Sequence, residues 1–404
     1  MKLTKISLAT LVALGAFSSV ASATPLEEAI KNVDLSGFAR YRYTNTHNKD
    51  TEQSDVTKKS KANHQFRMVT NFKAAIDDNF FGVIGLRYTA NDGSGDNAGV
   101  GTDKTDTTTS FNVHQFYLGY NVGGTTITAG KQAIGSYFTD DAVGTGVRVV
   151  NKDIEGLTLT ALAFDALEGS DWYNGDLYEK ATGKFATYDV GNLYAAGIAG
   201  SYDPINFQLW YASLTNLADL LAADVSANFA ITNDISLGAR LNYVNSTVDA
   251  SAKNIGYNDG NFYAGELSTS LFGLDLAGGY IGWKSQDKAI SAFSFEDQGG
   301  LIDVGEDVFD WTHAEGKGNF FYATSAYTFD KFTVGLDYVK GNIKTAGANN
   351  QDVKEKIEEF VPRFAYQYSK KLKFSSFYSF QTHKKPNDVK EKEDKFRFEA
   401  KYSF

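Results

Sequence analysis

The last ten residues of the chain, Lys395 to Phe404, alternate with a period of two. Phe396, Phe398, Ala400, Tyr402 and Phe404 fall on one side, while Lys395, Arg397, Glu399, Lys401 and Ser403 fall on the other. Successive side chains of a strand point to opposite faces, so this segment is a strand with one aromatic and one charged face. In water an exposed aromatic row is an aggregation hazard. In a bilayer the same row belongs against lipid, and the segment reads as a strand of a membrane-spanning β-barrel.

The other end of the chain agrees. Lys2 and Lys5 precede an apolar run from Ile6 to Val20, and Ala21-Ser22-Ala23 supplies the small-x-small pattern of a secretory cleavage site. Residues 1–23 are therefore expected to be a cleaved signal peptide, and residues 24–404 a single outer-membrane barrel domain. The alternative, an N-terminal anchor, needs a run of ~20 apolar residues, and this one is short. No later segment is apolar long enough to span as a helix. A closed barrel still spans, because it satisfies every backbone group between strands.

Composition narrows the class. The absence of cysteine excludes a disulfide scaffold and thiolate metal sites. Four Pro against 38 Gly, with 23 Tyr and 30 Phe, suit strands, turns and aromatic girdles rather than helices. A net charge of −10 argues against nucleic acid as a partner. A secreted soluble β-sandwich is the plainer alternative.

Tight connections fall at Asp77-Asp78-Asn79, Asn121 to Gly124, Lys152 to Glu155, Tyr202-Asp203-Pro204, Thr232-Asn233-Asp234, Phe272-Gly273, Phe329-Asp330-Lys331 and Ser369-Lys370-Lys371. Most carry Asn, Asp, Gly or Pro, which permit sharp reversals. Between them lie long polar segments: Asn45 to Asn63, Asn91 to Ser110, Gln132 to Thr145, Leu167 to Val190, Thr215 to Ala218, Thr247 to Asn261, Ser285 to Lys317, Lys344 to Lys356 and Lys384 to Glu393. Alternation of short and long connections is the signature of a barrel with one periplasmic and one outer rim. The expectation is an all-β, antiparallel transmembrane barrel of about 18 strands, a size that leaves a water-filled lumen.

The eight arginines test the phase. Each stands opposite its strand's apolar row: Arg40 and Arg42 against Tyr41 and Tyr43, Arg67 against Phe66 and Met68, Arg87 against Leu86 and Tyr88. Arg148, Arg240, Arg363 and Arg397 obey the same rule. A lipid-facing Arg at mid-bilayer costs ~2–4 kcal/mol, so lumen placement is expected. Arg40, Arg42, Arg67, Lys73 and Arg87 then form a basic strip on early, neighbouring strands. The third long segment contains Asp140 and Asp141, and folded inward it would set these carboxylates across the bore from that strip. Opposed rows of fixed charge orient dipolar solutes and tune ion selectivity. The segment from Ser285 to Lys317 is dense in carboxylates, among them Asp303, Glu306 and Asp307, and reads as an acidic pore mouth that favours cations. Calcium takes 6–8 oxygen ligands, and Asp140, Asp141 and Asp176 are the candidate ligands, although no fixed ligand spacing singles them out.

Thr24-Pro25-Leu26-Glu27-Glu28-Ala29-Ile30, then Val33 to Gly37 and Arg40-Tyr41-Arg42-Tyr43, resemble the N-terminus of the Campylobacter-type major outer membrane porins. The resemblance runs through Gly130-Lys131-Gln132 to Phe404. It implies a trimeric, cation-favouring general diffusion porin of the bacterial outer membrane that is also a surface antigen with a role in host adhesion, and it strengthens the case for calcium. The terminal Phe404 with Phe396, Phe398 and Tyr402 is similar to the signal that outer-membrane barrels present to their insertion machinery. The partners expected are outer-membrane lipid and lipopolysaccharide, further copies of the chain, the insertion machinery, and host matrix or cell surface. A substrate-selective channel, with Phe38 and Tyr117 as lumen aromatics, and an adhesin acting through acidic loops are the competing readings. Catalysis is not expected: His47, His64, His114, His313 and His383 lie in no nucleophile motif.

Overall fold

Period-two alternation becomes eighteen strands in a computed structural model of the protein, which describes residues 33–49, 60–95, 105, 107–168, 191–295, 298–309, 314–347, 351–386 and 389–404. The strands are β1 (Val33–Asn48), β2 (Ser60–Ala75), β3 (Phe80–Gly95), β4 (Asn112–Val122), β5 (Thr125–Ala133), β6 (Val143–Asn151), β7 (Leu157–Leu167), β8 (Leu193–Tyr202) and β9 (Ile205–Leu214) in the first half. The second half comprises β10 (Ala218–Ala230), β11 (Ile235–Val248), β12 (Gly260–Leu271), β13 (Leu274–Ser285), β14 (Lys317–Phe329), β15 (Phe332–Ala346), β16 (Asp352–Gln367), β17 (Leu372–Lys384) and β18 (Lys390–Ser403). Each strand pairs antiparallel with its sequence neighbours, and β1 also pairs with β18, closing the sheet into a barrel with no free edge. At the seam Gly37 and Phe404 exchange backbone hydrogen bonds of 3.1 and 3.0 Å. The expected signal segment lies outside the described residues.

The short connections gather at the rim that also holds the C-terminus. Asp77 shows how one is made: its carboxylate accepts the backbone N–H of Asn79 at 2.8 Å and of Phe80 at 2.7 Å, which holds its pKa below the ordinary carboxylate value. At the opposite rim the strands run further than the polar composition suggests, with β1 ending at Asn48 and β2 starting at Ser60. Thr215 to Ala218, expected as a long loop, is a tight turn in which the Leu217 N–H reaches the Leu214 carbonyl at 3.0 Å. Between β11 and β12 lies a one-turn helix, α1 (Ala250–Lys253). Among the described residues no helix is long and apolar enough to cross a membrane; the strands do so instead.

The outward face is apolar. Phe116, Leu118, Leu221, Leu241, Leu267 and Phe321 are exposed there, Leu267 at 72 %. The lumen face divides in two. Around β1 to β3 and β16 to β18 it is charged and polar. Along the outer half of β7 to β15 it is apolar, with Leu162, Trp210, Leu220, Val244, Phe262, Ile281, Phe320 and Val339 all buried. These side chains cannot face water, and two loops folded into the barrel cover them.

Candidate functional site

The first inward loop joins β5 to β6 and is the one expected to narrow the bore. Ile134, Tyr137, Phe138 and Ala142 are buried, so the loop is anchored by apolar contact. Asp140 and Asp141 remain exposed at its tip. Asp141 accepts a hydrogen bond from the Arg67 guanidinium at 2.5 Å, which brings the acidic tip against one member of the basic strip. Surrounding protein desolvates the Asp140 carboxyl, and with Asp141 alongside it sits above its ordinary pKa despite the pull of Arg67.

The second inward loop joins β13 to β14 and was expected to form an acidic mouth at the rim. It instead crosses the lumen, because it carries its own apolar core. Ile290, Phe293, Phe295, Leu301, Ile302, Val304 and Val308 are buried against the apolar half of the wall and the first loop. The Phe295 N–H donates to the Phe138 carbonyl at 3.0 Å, and the Gly300 N–H donates to the Tyr137 carbonyl at 2.6 Å. Gly299 has φ +53°, and a Cβ on it would stand 2.6 Å from the Tyr137 oxygen, so only glycine permits the two loops to cross this closely. The wall holds the loop as well: the Ile302 N–H donates to Asn242 at 2.7 Å, and Arg240 donates to the Gly300 carbonyl at 2.8 Å.

Two carboxylates of this loop, Glu306 and Asp307, are engaged with the wall. Glu306 accepts from Arg363 and, at 3.4 Å, from Arg397, while Asp307 pairs with Lys395. The buried Glu359 on β16 accepts the Glu306 N–H at 3.1 Å and the Ser379 hydroxyl at 2.6 Å. Next to it Gly305 has φ +88°, and a Cβ there would lie 2.3 Å from the Glu359 carboxylate. Asp303 opens to the lumen on one side; protein packed on the other side desolvates it, and Glu306 and Glu359 repel its charge. Its carboxyl is pushed up to about 7.

The basic strip divides accordingly. Arg40 donates to Gln65 at 2.5 Å, Arg42 pairs with Glu399 at 2.8 Å, Arg67 meets Asp141, and Arg87 pairs with Glu168. Lys73 lies toward the periplasmic end, its ammonium 4.4 Å from the centre of the Phe81 ring, and is remote from the constriction. Sequence reasoning placed Arg363 and Arg397 in the lumen but left them out of the strip, and it did not single out Lys395; the three continue the cationic wall across the seam. Beneath the second loop a cavity of about 1030 Å³ is lined by Arg42, Arg240, Asp337, Arg363, Arg397 and Glu399. The arrangement is a water-accessible bore, constricted by two loops and lined by paired fixed charges. Of the calcium candidates, Asp176 lies outside the described residues, and Asp141 is already engaged by Arg67. Among the described residues no three His, Asp or Glu side chains converge as a metal cage.

Solved structures share this architecture. The chain is similar to OccAB3 of Acinetobacter baumannii (TM-score 0.71, 13% identity, 93% of this chain and 99% of that one). It is likewise similar to OpdQ of Pseudomonas aeruginosa (TM-score 0.72, 14% identity, 92% and 99%) and to a BenF-like porin of Pseudomonas fluorescens (TM-score 0.70, 16% identity, 92% and 99%). At such identity the likeness concerns the fold. Curated protein sequences gave no significant match. The family model of the Campylobacter major outer membrane protein matches residues 1–404. The chain therefore belongs to the Campylobacter major outer membrane protein family, porins of the bacterial outer membrane.

Proposed function

We propose that the protein is a trimeric, cation-favouring channel for passive diffusion of ions and small hydrophilic solutes. The observation that carries this reading is the pairing of lumen arginines with carboxylates. Arg42, Arg67, Arg87, Arg240, Arg363 and Arg397 each meet an acidic partner, which neutralises much of the positive wall. Exposed Asp140 and the net charge of −10 then bias the field toward cations. The trimer rests on family membership. The test is single-channel recording in planar bilayers. Unitary conductance steps are expected, with a reversal potential on the cation side that moves toward zero when Asp140 and Asp141 are both changed to Asn. Absence of steps would overturn the channel; an unmoved reversal potential would overturn the role of the two aspartates.

A second reading, a solute-selective channel, is favoured by the second loop, since two inward loops narrow a bore more than one. Liposome swelling with sugars of increasing size separates the readings: general diffusion falls smoothly with size, and selectivity breaks that order.

A further inference from the structure

The outer face of the barrel carries a belt of lysines near its outer rim. Lys284, Lys317, Lys344 and Lys354 are successive cross-strand partners on β13 to β16. One pleat along β16, Lys356 opens a second row, facing Lys384 on β17, which faces Lys390 on β18. The step on β16 offsets the tilt of barrel strands, so both rows lie at one level near the outer rim. All have the phase opposite the lumen: Lys284 stands between buried Trp283 and Ser285, and Lys356 beside buried Ile357. Like charges placed directly opposite destabilise a sheet, and here the juxtaposition repeats from strand to strand.

Carboxylates on this sector do not cancel the row. Glu358 pairs with Lys340 at 3.6 Å, and Asp352 pairs with Lys288 at 2.5 Å while lying near Lys344. Among the described residues no ion pair reaches Lys284, Lys317, Lys354 or Lys356. Further down the same strands runs an aromatic band, with Tyr280 and Phe321 rings 5.0 Å apart and Phe360 and Phe380 rings 6.2 Å apart. Such bands mark the hydrocarbon boundary, which puts the lysines at headgroup depth. On β10 to β12 the outward positions near that rim are Asp219, Asn245 and Asn261, so the cationic belt belongs to one sector.

We infer that this belt binds the phosphorylated headgroups of lipids in the outer leaflet. Adjacent strands are about 4.8 Å apart, so one phosphomonoester, with its near-double charge and three acceptor oxygens, can bridge ammonium groups on two strands. The in-register array suits a lipid bearing more than one phosphate, and the aromatic band beneath receives its acyl chains. A soluble partner would have to enter the membrane plane to reach the same groups.

The test uses the full-length protein in phosphatidylcholine nanodiscs doped with diphosphorylated lipid A, its dephosphorylated form or phosphatidylglycerol, with retained lipid counted by native mass spectrometry. Wild type is expected to retain the diphosphorylated lipid and release the other two. The K284Q/K317Q/K344Q/K354Q variant is expected to retain it at least tenfold less, with channel conductance in neutral lipid unchanged. The K317R/K344R variant should retain it, and K317Q/K344Q serves if the quadruple variant does not fold. Equal retention by wild type and the Gln variants, or equal retention of the dephosphorylated lipid, would overturn the proposal. Displacement by millimolar inorganic phosphate would mark a free-anion site and overturn the lipid assignment.

Discussion

Replacing Glu306 by Gln tests whether the second loop is latched by charge. In the native arrangement the Glu306 side chain is only 15 % exposed and accepts from Arg363 and Arg397, which are 32 % and 25 % exposed. Removing one partner of a buried ion pair costs about 3–5 kcal/mol, but lumen water screens these two guanidinium groups in part. A loss of about 2–3 kcal/mol is therefore expected, which at 1.36 kcal/mol per decade is roughly a 30- to 150-fold shift toward the undocked loop. Hydrogen exchange reads this directly. The amides of Phe295, Gly300 and Ile302 are held by Phe138, Tyr137 and Asn242 only while the loop is docked. Their exchange should accelerate by that factor in E306Q, while the ladder amides of β16 and β18 stay protected. Single-channel records should show longer visits to a higher-conducting level. Loop amides that exchange within threefold of wild type would refute the Glu306 latch and leave apolar packing, the Asp307–Lys395 pair and the backbone hydrogen bonds as the anchors.

Asp303 should make that docking pH-dependent. Its carboxyl is raised in the docked loop, so docking is strongest at low pH and weakens as pH rises through about 7; Asp303→Asn should flatten exchange of the same amides between about pH 5 and 8, and protection that grows with pH in wild type would contradict this. Leu241→Arg places a charge on the lipid face at a site 66 % exposed, and should cost ~2–4 kcal/mol in urea unfolding from vesicles. A negligible cost would reverse the assignment of faces. Deleting Phe404 removes both backbone hydrogen bonds to Gly37, whereas Phe404→Ala removes only the ring. Both should slow the appearance of the compact barrel on gels, the deletion more, and equal rates with wild type would remove Phe404 from assembly.

Strand identity and phase were legible because alternation is a local signal. Arg42 or Arg397 declares its face through its immediate neighbours, Tyr41 and Tyr43 or Phe396 and Phe398. Legibility fails where the lumen is dry: in β10 Leu220 and Leu221 are both apolar, one packed under the plug and one against lipid, and no alternation separates them. The second loop misled for a related reason. Its carboxylates dominate its charge, and Phe293 and Phe295 carry the information that it folds inward. The partners of Glu306 lie 57 and 91 residues downstream, and that of Asp141 lies 74 residues upstream. Such pairs depend on barrel closure, which no window of sequence contains.

That closure has a consequence for biogenesis. Two of the cations that grip the second loop, Lys395 and Arg397, stand on β18, the strand that pairs with β1 at the seam. Until β18 meets β1 the wall is open, and the second loop lacks the grip of these two cations. Sealing the cylinder and completing the hold on the loop that narrows it therefore draw on the same strand.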